Sequence, residues 1–119
     1  MSQADYIVRL VNDLKPLEIF DYYDGPKFYS CQDKAGQLYL VYWIDEVNDL
    51  NSWLYLRVSQ ERYNALKVGN ISIANVLSCP EDGSAFIVDT HADSFSVREI
   101  SFNEIISEWL PEKDDFRHC

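Results

Sequence analysis

The sequence predicts an α+β fold: a curled antiparallel β-meander of about six strands, open or closed into a barrel, with short flanking helices. Three observations carry that expectation. Runs rich in Tyr, Trp, Phe, Val and Ile alternate with turn chemistry through residues 17–59, the pattern of strands that pair in sequence. The run "LYLVYWID" at 38–45 is apolar on both alternating sides, so both faces of that strand need cover. Between residues 60 and 79 the pattern changes to two short segments, each preceded by a serine, and serine caps helices.

Taken in order, residues 3–14 place Tyr6, Ile7, Leu10, Val11 and Leu14 at helical spacing, with Ser2 as N-cap and Asp5 three residues on. Pro16 closes that helix, which therefore lies within 1–16. "LEIFDYYDGPKFYSC" sets an Asp24-Gly25 turn between two strand-like runs, because Gly tolerates positive φ and Asp bonds its own backbone. Lys34-Ala35-Gly36 makes the next turn, "LYLVYWID" the third strand, "EVNDLN" a polar loop, and "SWLYLRVS" at 52–59 the fourth strand. The four-stranded meander thus occupies 17–59.

Ser59 caps "QERYNALKV", whose Tyr63, Leu66 and Lys67 stem share a side and whose Gly69 stands at the helix end. Ser72 caps a second helix running to Leu77, Pro80 ends it, and "PEDG" turns the chain. "SAFIVDT" and "SFSVREI", within 84–100, are the fifth and sixth strands around "HAD". Residues 102–110 read as a C-terminal helix: Ser101 and Glu104 have capping-box spacing, and Phe102, Ile105, Ile106 and Trp109 form one stripe. Residues 111–119 are a polar tail. A chain of 119 residues is the size of one domain, 1–119.

The formal charge of −10, from 20 acidic and 10 basic residues, argues against binding nucleic acid through its phosphates, which depends on Lys and Arg. The same charge keeps a small domain soluble. Cys31, Cys79 and Cys119 are odd in number and never form C-x-x-C, so no disulfide framework or zinc knuckle is expected and a reducing compartment is. With no leader pattern and no apolar run of bilayer length, the expectation is a cytoplasmic protein without membrane contact.

Ten aromatic residues fall between Phe20 and Tyr55. Packing explains most of them. Tyr22, Tyr23 and Tyr29, beside the Asp24 turn, are the candidates for an exposed recognition patch. Asp21, Asp24, Asp45, Glu46 and Asp49 gather near the same end but lack calcium-loop spacing. His91 in "DTHAD" has an H-x-D spacing without marked further ligands, so no metal and no cofactor are expected. Phosphate-loop, dinucleotide and nucleophile-elbow motifs are absent. Cys31 sits in a strand among Tyr and Ser, where packing explains it better than a dyad with His91.

Glu104, Glu108 and Glu112 recur every fourth residue and share a face if the segment is helical. That ladder carries one charge per about 6 Å of helix rise, against one per about 1.7 Å of axis in duplex DNA, too sparse to imitate DNA alone.

The segments "YYDGP", "KAGQLYLVYWID", "WLYLRVSQERYNALKVGNIS" and "PEDG" together resemble an uncharacterised family of small bacterial domains of unknown function. The resemblance spans residues 17–90 and implies a fold and a bacterial origin; it implies no site residues. The expected function is a non-enzymatic protein-interaction, adaptor or accessory domain with a protein partner, basic in one version. The binding candidates are Tyr22, Tyr23, Tyr29, Asp24, Glu104, Glu108 and Glu112. Two alternatives stand beside it: an acidic inhibitor, immunity-like protein or nucleic-acid mimic that fills a basic site, and a small hydrolase using His91.

Overall fold

Strands β1 (Lys15–Tyr22), β2 (Pro26–Gln32), β3 (Leu38–Val47), β4 (Leu50–Val58), β5 (Ser84–His91) and β6 (Ser94–Ser101) form one antiparallel sheet in sequence order, β1-β2-β3-β4-β5-β6. The structure, a computed structural model, describes residues 14–22, 26–91 and 94–111. The meander is as expected, but it is open: β1 and β6 are its two edges rather than partners across a closed barrel.

"LYLVYWID" is the centre of β3 and is covered on both faces. Leu38, Leu40, Leu54, Leu56, Val58, Ala85 and Ile87 point to one side and join the main core. Tyr39 and Val41 point to the other, where they pack with Cys31. Leu40 and Val41 are adjacent, on opposite faces, and both fully buried. Covering both faces therefore does not require closing the sheet.

Helices α1 (Gln60–Lys67) and α2 (Ile73–Ser78) cover the main core. The Ser59 side chain accepts from the Arg62 N–H and that of Ser72 from the Asn75 N–H, so each serine satisfies an otherwise orphaned donor. At the far end of α1, the Gly69 N–H donates to the Leu66 carbonyl and the Asn70 N–H to the Ala65 carbonyl. This is a Schellman ending, with Gly69 at φ +82°. "PEDG" closes as a turn through the Gly83 N–H and the Pro80 carbonyl.

Several expectations need correction. The polar loop "EVNDLN" is a two-residue turn: β3 runs to Val47, β4 starts at Leu50, and Asn48 and Asp49 take φ of 51° and 66°. Positive φ at both central residues matches the twist of a hairpin, and Asn and Asp tolerate it better than other non-glycine residues. Lys15 and Pro16 belong to β1, not to a preceding helix; on an edge strand, proline costs no ladder bond. The helix expected at 3–14 lies, up to residue 13, outside the described residues, as do the Asp24-Gly25 turn and the tail from residue 112.

The C-terminal helix expected at 102–110 is two 3-10 turns, Phe102–Glu104 and Ser107–Trp109, joined by extended Ile105 and Ile106. Two adjacent β-branched residues, with Ser and Asn around them, favour that break over helix propagation. Extended backbone sends neighbours to opposite sides. Ile105 is therefore buried with Leu110, while Ile106 and Phe102 are exposed.

Candidate functional site

Strand β1 carries the features that point beyond packing. It is an edge strand, and its register with β2 slips at three places, the first between Pro16 and Glu18, which leaves Leu17 as an extra residue. Such bulges twist an edge away from uncontrolled pairing. Even so, Leu17 and Ile19 are 48% and 55% exposed. Ile19 lies opposite Tyr29, and that row continues across the sheet through Val41, Tyr55 and Phe86. Burial rises inward along it: exposed Ile19, half-buried Tyr29, fully buried Val41.

Around this row the second face is aromatic. The Tyr29 and Trp53 rings meet edge-on at 6.2 Å. Trp43 stands opposite Trp53, donates its indole N–H to Asn51 Oδ1 at 2.9 Å and lies under the Lys27 ammonium, 4.5 Å from the ring centroid. Burial raises the phenols of Tyr29 and Tyr55, each of which also acts on the other. Burial, reinforced by Asp33, pushes the Cys31 thiol up to about 12. That thiol stays protonated at neutral pH and is a poor nucleophile.

On the opposite face of β1, Glu18 and Phe20 meet α1. The Tyr63 hydroxyl donates to Glu18 Oε1 at 2.6 Å and lies 2.8 Å from Ser30 Oγ. Tyr63 has one hydroxyl proton, given to Glu18, so Ser30 is the donor to Tyr63. Ser30 Oγ in turn accepts from the Glu18 N–H at 3.2 Å. The result is a closed ring of three hydrogen bonds that begins and ends on Glu18. Lys67, one turn after Tyr63, adds an ion pair to Glu18 Oε1 at 2.9 Å. The Tyr63 bond, then Lys67, hold the Glu18 carboxyl below its ordinary value. Burial, then the Glu18 carboxylate, push the Tyr63 phenol up to about 12. Sequence reading assigned Tyr63 and Lys67 to a helix side and missed Glu18 and Ser30 entirely. Their pairing spans β1, β2 and α1, and no local spacing encodes it.

The residues singled out from sequence do not form one site. Tyr22 ends β1; Tyr23 and Asp24 lie outside the described residues. Tyr29 is half-buried against Trp53, less exposed than expected beside a turn. Without a C-terminal helix there is no Glu ladder. Glu104 is bound to Ser101, accepting from its N–H at 3.2 Å; Glu108 sits in the second 3-10 turn; Glu112 lies outside the described residues. Other carboxylates serve local structure, Asp82 with Arg57 at 2.6 Å and Glu81 with the Ser59 N–H at 3.0 Å.

His91 is exposed at the end of β5, and Asp89 accepts from Ser52 Oγ at 2.5 Å. Three strand spacings, about 14 Å, separate the strands of Cys31 and His91. Among the described residues no group of three or more His, Cys, Asp or Glu could hold a metal ion, and no helix is long and apolar enough to cross a membrane. Cys79 is disulfide-bonded whereas Cys31 is a free, buried thiol. A disulfide at Cys79 removes the cysteine pattern as support for a reducing compartment.

Residues 9–116 match the Family of unknown function (DUF6575). The chain belongs to that family. The match extends beyond residues 17–90 and takes in β1 from its first residue, β6, the 3-10 turns and both Glu104 and Glu108. The C-terminal segment is thus part of the family's domain and not an addition peculiar to this chain. Comparison with curated proteins and with solved structures finds no match.

Proposed function

We propose that this chain is a non-enzymatic protein-interaction domain of a bacterial cytoplasmic system, and that it engages its partner along β1. The observation that carries this reading is the exposure of Leu17 and Ile19 on an edge strand. Isolated exposed aliphatics are ordinary on any surface. Here two stand on one short strand whose backbone is open on one side among the described residues, with half-buried Tyr29 beside them. An extended apolar segment of another protein fits that arrangement: main-chain bonds to the edge supply affinity, and Ile19 with Tyr29 supplies side-chain contact. The formal charge of −10 favours a segment with basic residues at its rim.

The acidic-mimic reading needed a continuous stripe of carboxylates. Glu18, Glu81, Asp82, Asp89 and Glu104 are instead each engaged with a neighbour of their own, which does not favour it. The hydrolase reading needed a buried His91, and that side chain is exposed.

A pull-down from extract of the bacterium that encodes the chain, comparing wild type with Leu17→Ser/Ile19→Ser, tests the proposal. A specific protein retained by the wild type and lost by the variant, with both melting alike, is the expected outcome. Equal retention by the two proteins removes β1 as the contact.

A further inference from the structure

On the side of β1 that faces the helices, a hollow of ≈ 420 Å³ opens between the β1–β2 edge, the end of α1 and the start of α2. This is within the range of small-molecule sites, about 300–1,000 Å³. Phe20, Phe28, Leu66 and Ile73 line it with apolar surface, and Glu18 and Lys67 stand at its rim. The Phe20 and Phe28 rings lie 4.9 Å apart, and Phe28 is a member of the main core against which Phe20 packs, so the floor of the hollow belongs to the core.

The rim has a definite polarity. Glu18 Oε1 already takes both the Tyr63 hydroxyl and the Lys67 ammonium. Its other oxygen, Oε2, accepts from no described residue, while the ring through Ser30 and Tyr63 fixes the carboxylate in place. The Lys67 ammonium also lies over the Tyr63 ring, 5.4 Å from its centroid. The molecule therefore already holds one primary ammonium here, by a carboxylate and an aromatic face. An incoming ammonium finds Oε2 free and needs no existing bond broken. A carboxylate would have to draw Lys67 away from Glu18, against a net charge of −10.

We infer that this hollow is a binding site for a small primary amine with an aromatic or branched aliphatic body, the ammonium on Glu18 Oε2 and the body over Phe20, Phe28, Leu66 and Ile73. The site is separate from the proposed protein contact, because Ile19 on β1 and Tyr29 on β2 occupy the opposite face of the sheet.

Benzylamine is the probe, followed by amide chemical shifts of the ¹⁵N-labelled full chain at neutral pH, with benzoate as the anionic counterpart of similar shape. Saturable shifts at Phe20, Leu66, Lys67 and Ile73 with benzylamine, and none with benzoate, are expected. Glu18→Gln keeps an acceptor for Tyr63 and removes the charge, so it should weaken benzylamine about tenfold, the loss of one charge-assisted bond, with the remaining spectrum unchanged. Lys67→Met removes the positive charge that repels an incoming ammonium, leaves Glu18 Oε2 in place, and should leave affinity equal or higher. Benzoate binding as well as benzylamine, an unmoved set of amides, undiminished affinity in Glu18→Gln, or abolished binding in Lys67→Met would each overturn the assignment.

Discussion

The hydroxyls of Ser30 and Tyr63 lie 2.8 Å apart beneath α1, one on a strand and one on the helix that crosses it. Because the Tyr63 hydroxyl donates to Glu18 and Ser30 Oγ accepts from the Glu18 N–H, each bond polarises the next. Tyr63→Phe breaks two of the three bonds and leaves the buried Ser30 hydroxyl without an acceptor. It should cost about 1–3 kcal/mol. Ser30→Ala should cost a similar amount, and the double variant less than the two combined, since both disrupt one network. Urea midpoints of the four proteins in the cycle check this; strict additivity would show the hydroxyls to be uncoupled.

The same groups set the pH limits of stability. The Tyr63 phenol is raised to about 12 from an ordinary 10.0. A folded-state value above the unfolded one gives stability that is complete below pH 10.0 and is lost as pH rises toward 12. Tyr29, Tyr55 and Cys31 shift in the same direction through burial. Glu18 is lowered from 4.5, so its contribution is present above 4.5 and disappears as pH falls through its folded value. Urea midpoints should therefore decline above pH 10, less steeply in Tyr63→Phe; parallel alkaline limbs would contradict the role given to Tyr63.

Leu40 is fully buried at the centre of the sheet. Leu40→Ala should cost about 2–5 kcal/mol, and Leu40→Asp, a buried unpaired charge, should prevent folding or cost more. A soluble Leu40→Asp variant melting near the wild type would place β3 at the periphery.

The hairpin tip offers a test of opposite sign. Asp49 at φ 66° adopts a conformation that glycine reaches without a Cβ clash, and Asn-Gly is favoured at such turns. Asp49→Gly should be neutral or stabilising by up to about 1 kcal/mol, whereas Asn48→Val, β-branched at positive φ, should destabilise by about 1–2 kcal/mol. Thermal melting of the two variants decides the matter; if both destabilise equally, backbone conformation is not what the turn selects.

The sheet was legible because its signals are local. Alternation and turn chemistry assigned all six strands, and Ser59, Ser72 and Gly69 marked both helices where they occur. Where the reading failed, two local signals competed. "SFNEIISEWLP" carries a capping box and a helical stripe, but Ile105 and Ile106 gain more by extending, one into the core and one out. "EVNDLN", residues 46–51, read as a polar loop, and only positive φ at Asn48 and Asp49 turns that stretch into a tight hairpin. The Glu18, Ser30 and Tyr63 ring was illegible for another reason: its members are 12 to 45 residues apart, and only the register of β1 on β2 and the seat of α1 bring them together. Exposure at Leu17 and Ile19 likewise follows from β1 being an edge, a property of topology.

The central claim, contact along β1, is tested most directly by site-specific photo-crosslinking in cells of the source organism. A photoreactive phenylalanine replaces Ile19 in one strain and exposed Glu108 in another. The account predicts a discrete covalent adduct to one protein from position 19 and none from position 108. No adduct at position 19, or the same adduct from both positions, would contradict it.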